Sequence, residues 1–402
     1  MKKLFSLTAL LALLLVGCGG NGGSSEEDDK IRLKIWAPAE EQEILVDMTN
    51  AFKEEHPEYN IHFDYAIMGV EASISSIKKD RDVAADIFMY PSGGISELTA
   101  AGLILPLNYV ENQVKEEHSE NAVKSASFNN ALYGIPVTPN TFFMFYNKSL
   151  YTEDEAKSLE TMLAKDLGEG IYNFSTDIDD SWYSSAFFFA LGCRLFGENG
   201  NDPEHVDFNS EMGLKAGQYL IDLNAHPKYV ENESGLAGNL MNEGKLGAFT
   251  SGIWSAGGFK SALGDNYGAV MLPKIKIDNV DYQLRPFVDY KVYGVNSATK
   301  HPQVAIEVAH YLGNETSQMI RFEVNNEAPT VISLLNHPRV QENIEIRALL
   351  NMAEEAVPQP SIPKLADFWD PMIAFGSEIV NKTVTSSNLK TKLDEVVAAI
   401  KR

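Results

Sequence analysis

The chain has 402 residues with 33 Lys and Arg against 56 Asp and Glu, a formal charge of −23 with His neutral. Nucleic-acid binding takes its sequence-independent affinity from basic residues that displace counterions, so an acidic chain without a basic run excludes it. At 44% hydrophobic and 22% charged, the composition is that of a packed globular protein of two or three domains. With only Cys18 and Cys193 available, no disulfide framework holds it.

The amino terminus reads as an export signal. Lys2 and Lys3 precede an apolar run from Leu4 to Val16, followed by small residues. The run is shorter than the roughly 20 residues that span a bilayer. Leu15, Val16, Gly17 and Cys18 look like a bacterial lipobox, in which the thiol is acylated and becomes the first mature residue. That places residues 1–17 in a signal peptide, and 18–30, rich in Gly, Ser, Asn and acid, in a flexible tether that buries nothing. The body is then expected on the outer face of a bacterial membrane, attached through lipid on Cys18.

Strand and helix alternate along the body. Ile31–Trp36 alternates apolar and polar residues like a strand. Glu40–Glu55 then places Ile44, Met48 and Phe52 at helical spacing, until His56 and Pro57 stop it. Tyr59–Tyr65 and Ala85–Tyr90 read as further strands, and Ile95–Ala101 as a helix. This order predicts an α/β fold with parallel sheet. Between Tyr151 and Leu284 helices dominate the pattern, including Trp182–Leu191 and Glu211–Leu223, with a strand at Gly247–Thr250. From His301 onward the pattern is helical again.

Motifs of catalysis are missing. Gly238 to Lys245 has five residues between its glycines instead of the phosphate loop's four, and Ser255 lacks the glycine two places before it that a nucleophile elbow requires. The eight histidines show no pair at zinc-ligand spacing, and Asp177, Asp179 and Asp180 start a calcium-loop pattern that Trp182 breaks. No metal or cofactor is expected. Two facing carboxylates would suffice for a glycosidase, an alternative that an acid-rich sequence keeps open. Cys193 reads as an inert buried thiol, and Phe142, Phe143 and Phe187–Phe189 as packing.

Aromatic residues beside acids and amides point to sugar, whose rings offer flat C–H faces and in-plane hydroxyls. Trp36 precedes Glu40 and Glu41, Trp182 follows Asp180, Trp254 lies among Gly and Ser, and Trp369 precedes Asp370. Each indole is equally suited to core packing, because Trp is highly buried on average.

Five segments carry a family resemblance: Leu33–Ala37; Ala85–Phe88; Ala131–Pro136 with Phe145–Leu150; Met241–Phe249 through Trp254; and Pro358–Pro363 with Phe368 and Trp369. The sequence resembles the extracellular solute-binding proteins of sugar ABC transporters, most closely the maltodextrin-binding branch. The resemblance implies a periplasmic-binding-protein-like fold. Two α/β lobes, 31–138 plus 289–332 and 139–288 plus 333–402, would be joined by a multi-strand hinge and would close on ligand. Crossovers would fall near Thr138–Thr141, Asp289–Lys291 and Thr330–Ser333. Carried over by position, Trp254 and Trp369 match stacking tryptophans, Trp182 a stacking tyrosine and Tyr90 another stacking tryptophan. Glu40 and Glu41 lie in a hydroxyl-gripping loop beside Trp36, and Asp180 matches an acidic acceptor. Asn140 replaces a glutamate, while Ser92 and Gly93 stand where an aspartate and an arginine occur. The implied function is non-catalytic capture of maltooligosaccharides by a monomer and delivery to transporter permease subunits. A binding protein for another oligosaccharide, sugar alcohol or peptide would share everything except the cleft chemistry.

Overall fold

A computed structural model describes residues 30–402. The export signal, Cys18 and nearly all of the tether lie outside those residues.

Two sheets, each with its own buried core, divide the chain into two α/β lobes. In the first, Ile31–Ala37 pairs in parallel with Ile61–Ile67 on one side and Ile87–Pro91 on the other. Phe287–Val295 runs antiparallel to Ile87–Pro91 and to Ile135–Asn140. Helices cover both faces of such a sheet, so the expected alternation of Ile31–Trp36 gives way to burial of Ile35, Trp36 and Ala37 in succession. The second sheet has Leu246–Gly252 at its centre, parallel to Tyr172–Thr176 and antiparallel to Phe142–Asn147. Tyr229–Glu231 and Tyr267–Val270 form its edges.

Most expected elements recur with shifted ends. The helix expected from Glu40 begins at Gln42 after a single 3-10 turn at Ala39–Glu41, and the Tyr59 strand becomes Ile61–Ile67. The stretch Tyr151–Leu284 is less helical than its pattern suggests. It contains the short strands Tyr172–Thr176, Tyr229–Glu231 and Tyr267–Val270, and a hairpin of Lys274–Ile277 with Val280–Gln283. Strands of three to five residues carry too few alternations to register as a period; pairing with the neighbouring strands makes them strands.

The chain changes core between Val137 and Phe142 and again between Phe287 and Val288. A third passage lies between Leu312, in the first core, and Phe322, in the second. Residues 333–402, expected wholly in the second lobe, return once to the first. Ala353 and Ala356 pack into its core, and Val357–Pro358 pairs in parallel with Phe287 and Val288 at the sheet edge. Only afterwards do the helices Ala366–Val380 and Leu389–Ile400 complete the second lobe.

Candidate functional site

In parallel α/β sheets the carboxyl ends of the strands open toward the crevice where ligands sit. Here these ends are Pro38–Glu41 and Pro91–Gly94 in the first lobe, and Asp177–Asp180 and Ile253–Ser255 in the second. Between the lobes lies a cavity of about 450 Å³. The first lobe lines it with Glu71, Ile74, Gly93 and Glu97, the second with Trp182, and the connecting strands with Asn140, Asp289 and Gln359. Gly93 approaches Gln359 closely: a Cβ there would stand 2.9 Å from Gln359 Nε2, and the amide end of that side chain would have to shift.

Asn140 and Asp289 are direct partners across the two connecting strands, and Asn140 Nδ2 donates to Asp289 Oδ1 at 2.8 Å. Burial pushes the Asp289 carboxyl up to about 6, against the Asn140 hydrogen bond and with the Glu71 charge adding to the rise. The amide orients the carboxylate and leaves it acceptor capacity for a hydroxyl.

The second lobe brings its aromatics together. Trp182 opens the helix Ser181–Ala190, which Asp180 caps by accepting from the Trp182 N–H at 2.8 Å. The Trp182 ring lies 6.3 Å from Trp369, with an interplanar angle of 39°, and 5.9 Å from Phe287. Both indoles are half-buried, one face of the pair resting on Phe287. Trp254 is 58% exposed, an unusual setting for so large an apolar surface. It follows the end of Leu246–Gly252, where Gly252 pairs with Phe142, and Phe142 packs on Trp182. A Cβ at Gly252 would collide with the Trp254 indole, so glycine lets the ring fold across the strand end.

Next to Trp182 in the chain is an acidic cluster, with Asp177 half-buried and Glu231 buried. Burial raises Asp177 to about 7, with Asp180 and Asp179 adding to the rise and a hydrogen bond from Asn232 opposing it. Glu231 also rises to about 7 by burial, although it accepts from the Ile178 N–H at 2.7 Å and from the Tyr229 hydroxyl. Asp180 thus has a defined structural duty as a helix cap, and Asp177 and Glu231, unnoticed in the sequence as a pair, set the electrostatics behind it.

Several expected contacts from the first lobe have no surface to offer. Tyr90 is fully buried, its hydroxyl donating to the Tyr133 carbonyl at 3.1 Å, so it has no free face for stacking. Trp36 is only 9% exposed and meets Phe88 edge-on at 6.3 Å, as core packing. Glu41 is also fully buried; it accepts from Arg321 Nε at 3.0 Å and from the Tyr293 hydroxyl at 3.3 Å, and its other oxygen has no partner. It braces its loop from below, leaving exposed Glu40 as the carboxylate available there. Asn140 stays at the cavity, as expected. Sequence reasoning missed Asp289, Glu71, Glu97 and Gln359, which stand on four separate elements and share no local motif. Cys193 is a buried thiol pushed up to about 12 by burial, too basic to supply thiolate near neutral pH.

Comparison with known proteins adds four findings. A family model described as bacterial extracellular solute-binding protein matches residues 47–348. A galactooligosaccharide-binding protein of Bacillus subtilis is 28% identical over 389 residues, covering 92% of this chain and 90% of that protein. A maltodextrin-binding protein of the same organism is 23% identical over 411 residues, covering 96% and 95%. Among solved structures, an unliganded maltodextrin-binding protein of L. casei superposes with a TM-score of 0.85 at 23% identity, covering 92% of this chain and 99% of its own.

Proposed function

The chain belongs to the bacterial extracellular solute-binding protein family, and from that premise we propose that it captures maltose- and maltodextrin-type oligosaccharides without turnover and delivers them to the permease of an ABC transporter. The observation that carries the ligand class is Trp182, half-buried beside Trp369, at an inter-lobe cavity whose other lining is carboxylates and amides, with Trp254 exposed on the same lobe. Indole faces take the C–H faces of successive rings, Glu40 and Asp289 accept hydroxyls, and Asn140 and Gln359 donate or accept according to the ring presented. Ligand touching both lobes favours the closed arrangement by its differential affinity, and closure is the signal to the permease. Stacking and hydroxyl hydrogen bonds of this number support a dissociation constant of about 1 μM. Acylation of Cys18 would hold the protein, as a monomer, at the outer membrane face. Among the described residues no helix is long and apolar enough to cross a membrane, in keeping with attachment by lipid.

A second reading has its own support: the galactooligosaccharide-binding relative covers nearly the whole chain, so a β-linked galactose oligomer is the competing ligand. Calorimetric titration with maltose to maltoheptaose, galacto-oligosaccharides, cellodextrins and xylo-oligosaccharides, followed by chromatography of the recovered sugar, decides. Binding of α-1,4 glucans with the sugar intact is the expected result. Binding of galacto-oligosaccharides alone would keep the transport role and change the ligand, and cleaved sugar would transfer the protein to the glycosidases.

A further inference from the structure

Behind the connecting strands is a second inter-lobe crevice of about 290 Å³, and Gln359 borders both it and the cleft cavity. The two spaces have opposite charge. The cleft cavity is lined by Glu71, Glu97 and Asp289 and by no Lys or Arg. The rear crevice is lined by Lys124 from the first lobe and by Arg194 and Arg285 from the second, against a single acid, Glu198. Three cations lining one crevice beside a single acid repel one another unless an anion compensates them.

The compensation within the protein is incomplete. Arg194 reaches Glu198 only at 3.7 Å, and Arg285 Nε donates to the Glu355 carbonyl at 2.6 Å, which satisfies one donor and no charge. Among the described residues Lys124 makes no ion pair. Ser125, 8% exposed, lines the same crevice, and its buried hydroxyl has no partner among the described residues. The backbone of Gly192, Gly197 and Gly200 completes the wall without side chains.

We propose that this crevice binds a small multivalent oxyanion, with phosphate as the simplest member of the class, and that its occupancy opposes closure of the sugar cleft. The cations line the crevice from different lobes, Lys124 from the first and the two arginines from the second. Their repulsion pushes the rear of the molecule apart, which is the rotation that narrows the front. An anion held between Lys124 and the two arginines replaces that repulsion with attraction, draws the rear together and favours the open cleft. By linkage, sugar weakens the anion by the same factor as the anion weakens sugar.

The anion site is independent of the sugar assignment; only its coupling to the cleft rests on the proposed function. The test is therefore read first without sugar, on the full protein. Inorganic phosphate is titrated against sodium chloride at matched ionic strength, since salt alone screens the repulsion. Saturable thermal stabilisation by phosphate is expected, and it should vanish in the Lys124→Gln, Arg194→Gln double variant. The variant's melting temperature without phosphate shows that it folds. Ser125→Ala should weaken phosphate only modestly. With a responding sugar in hand, phosphate should lower its affinity by about fivefold in the wild type and leave it unchanged in the double variant. A wild-type response no greater than with chloride, or a response that persists in the double variant, would overturn the site. Phosphate binding with unchanged sugar affinity would overturn the coupling.

Discussion

In the first lobe, the large polar and aromatic side chains near the strand ends turn inward. Tyr90, Trp36 and Glu41 are all buried, and Arg321, itself 99% buried, ties Glu41 to Tyr293 beneath the loop. In the second lobe the comparable positions turn outward: Trp254 stands in solvent, and Trp182 and Trp369 form a half-open pair. One wall is held stiff by an internal polar network and offers carboxylates at its rim, whereas the other offers ring faces. The difference shows that the same residue types near the same kind of strand end are buried or left open according to which side of the sheet the backbone presents them.

The largest effect should come from breaking the stiff wall. Arg321→Met strands a buried carboxylate and should cost about 4 kcal/mol of folding stability by denaturant titration. A loss under about 1 kcal/mol would mean that the network is dispensable. On the other wall, Trp254→Ala should lower sugar affinity by about 2 kcal/mol, roughly thirtyfold, at an unchanged melting temperature. Trp369→Ala should lose affinity together with stability, because Trp369 also packs on Phe287 and Phe368. Equal affinity in both variants would return these rings to the scaffold.

The acids of the Asp177 cluster and the cleft should show themselves through pH. Folded Asp177, raised to about 7, holds its proton more tightly than the unfolded chain. Its contribution to stability is therefore full below about pH 4 and is lost as pH rises through 7. Asp177→Asn should make the protein more stable than wild type by about 1–2 kcal/mol at pH 8, with the gap closing toward pH 5. Asp289, raised to about 6, follows the same sign for stability but the opposite sign for sugar, which needs its carboxylate. Wild-type affinity should fall as pH drops through 6, and Asp289→Asn should flatten that profile at about 1 kcal/mol weaker binding. The smallest effect sharpens the comparison most directly. Tyr90→Phe should cost about 1 kcal/mol of stability through the lost bond to Tyr133 and leave sugar affinity alone.

Much of this was legible in the order of the residues. The helix expected at Glu211–Leu223 runs Glu211–Asn224, and the structure adds a Ser210 cap that accepts from the Gly213 N–H. The three parallel strands of the first lobe were legible because each is a short apolar or alternating run bounded by turn or helix-start residues. The exposure of Trp254 was not legible, since its indole suited core packing equally well. Nor was the burial of Tyr90 and Glu41, because it depends on Tyr133, Tyr293 and Arg321, which lie far away along the chain.

By itself the sequence determined the alternation of strand and helix, the acidity that excludes nucleic acid, and the supply of indoles beside carboxylates. All of these follow from periodicity, composition and spacing within a few residues. Only the tertiary structure decided which aromatics face the cleft, that Asn140 and Asp289 meet across the connecting strands, and that cations from separate lobes converge behind them. Those outcomes depend on the register and packing of segments far apart in the chain, 149 residues in the case of Asn140 and Asp289, and short-range pattern carries no information about which distant side chain will cover a given face.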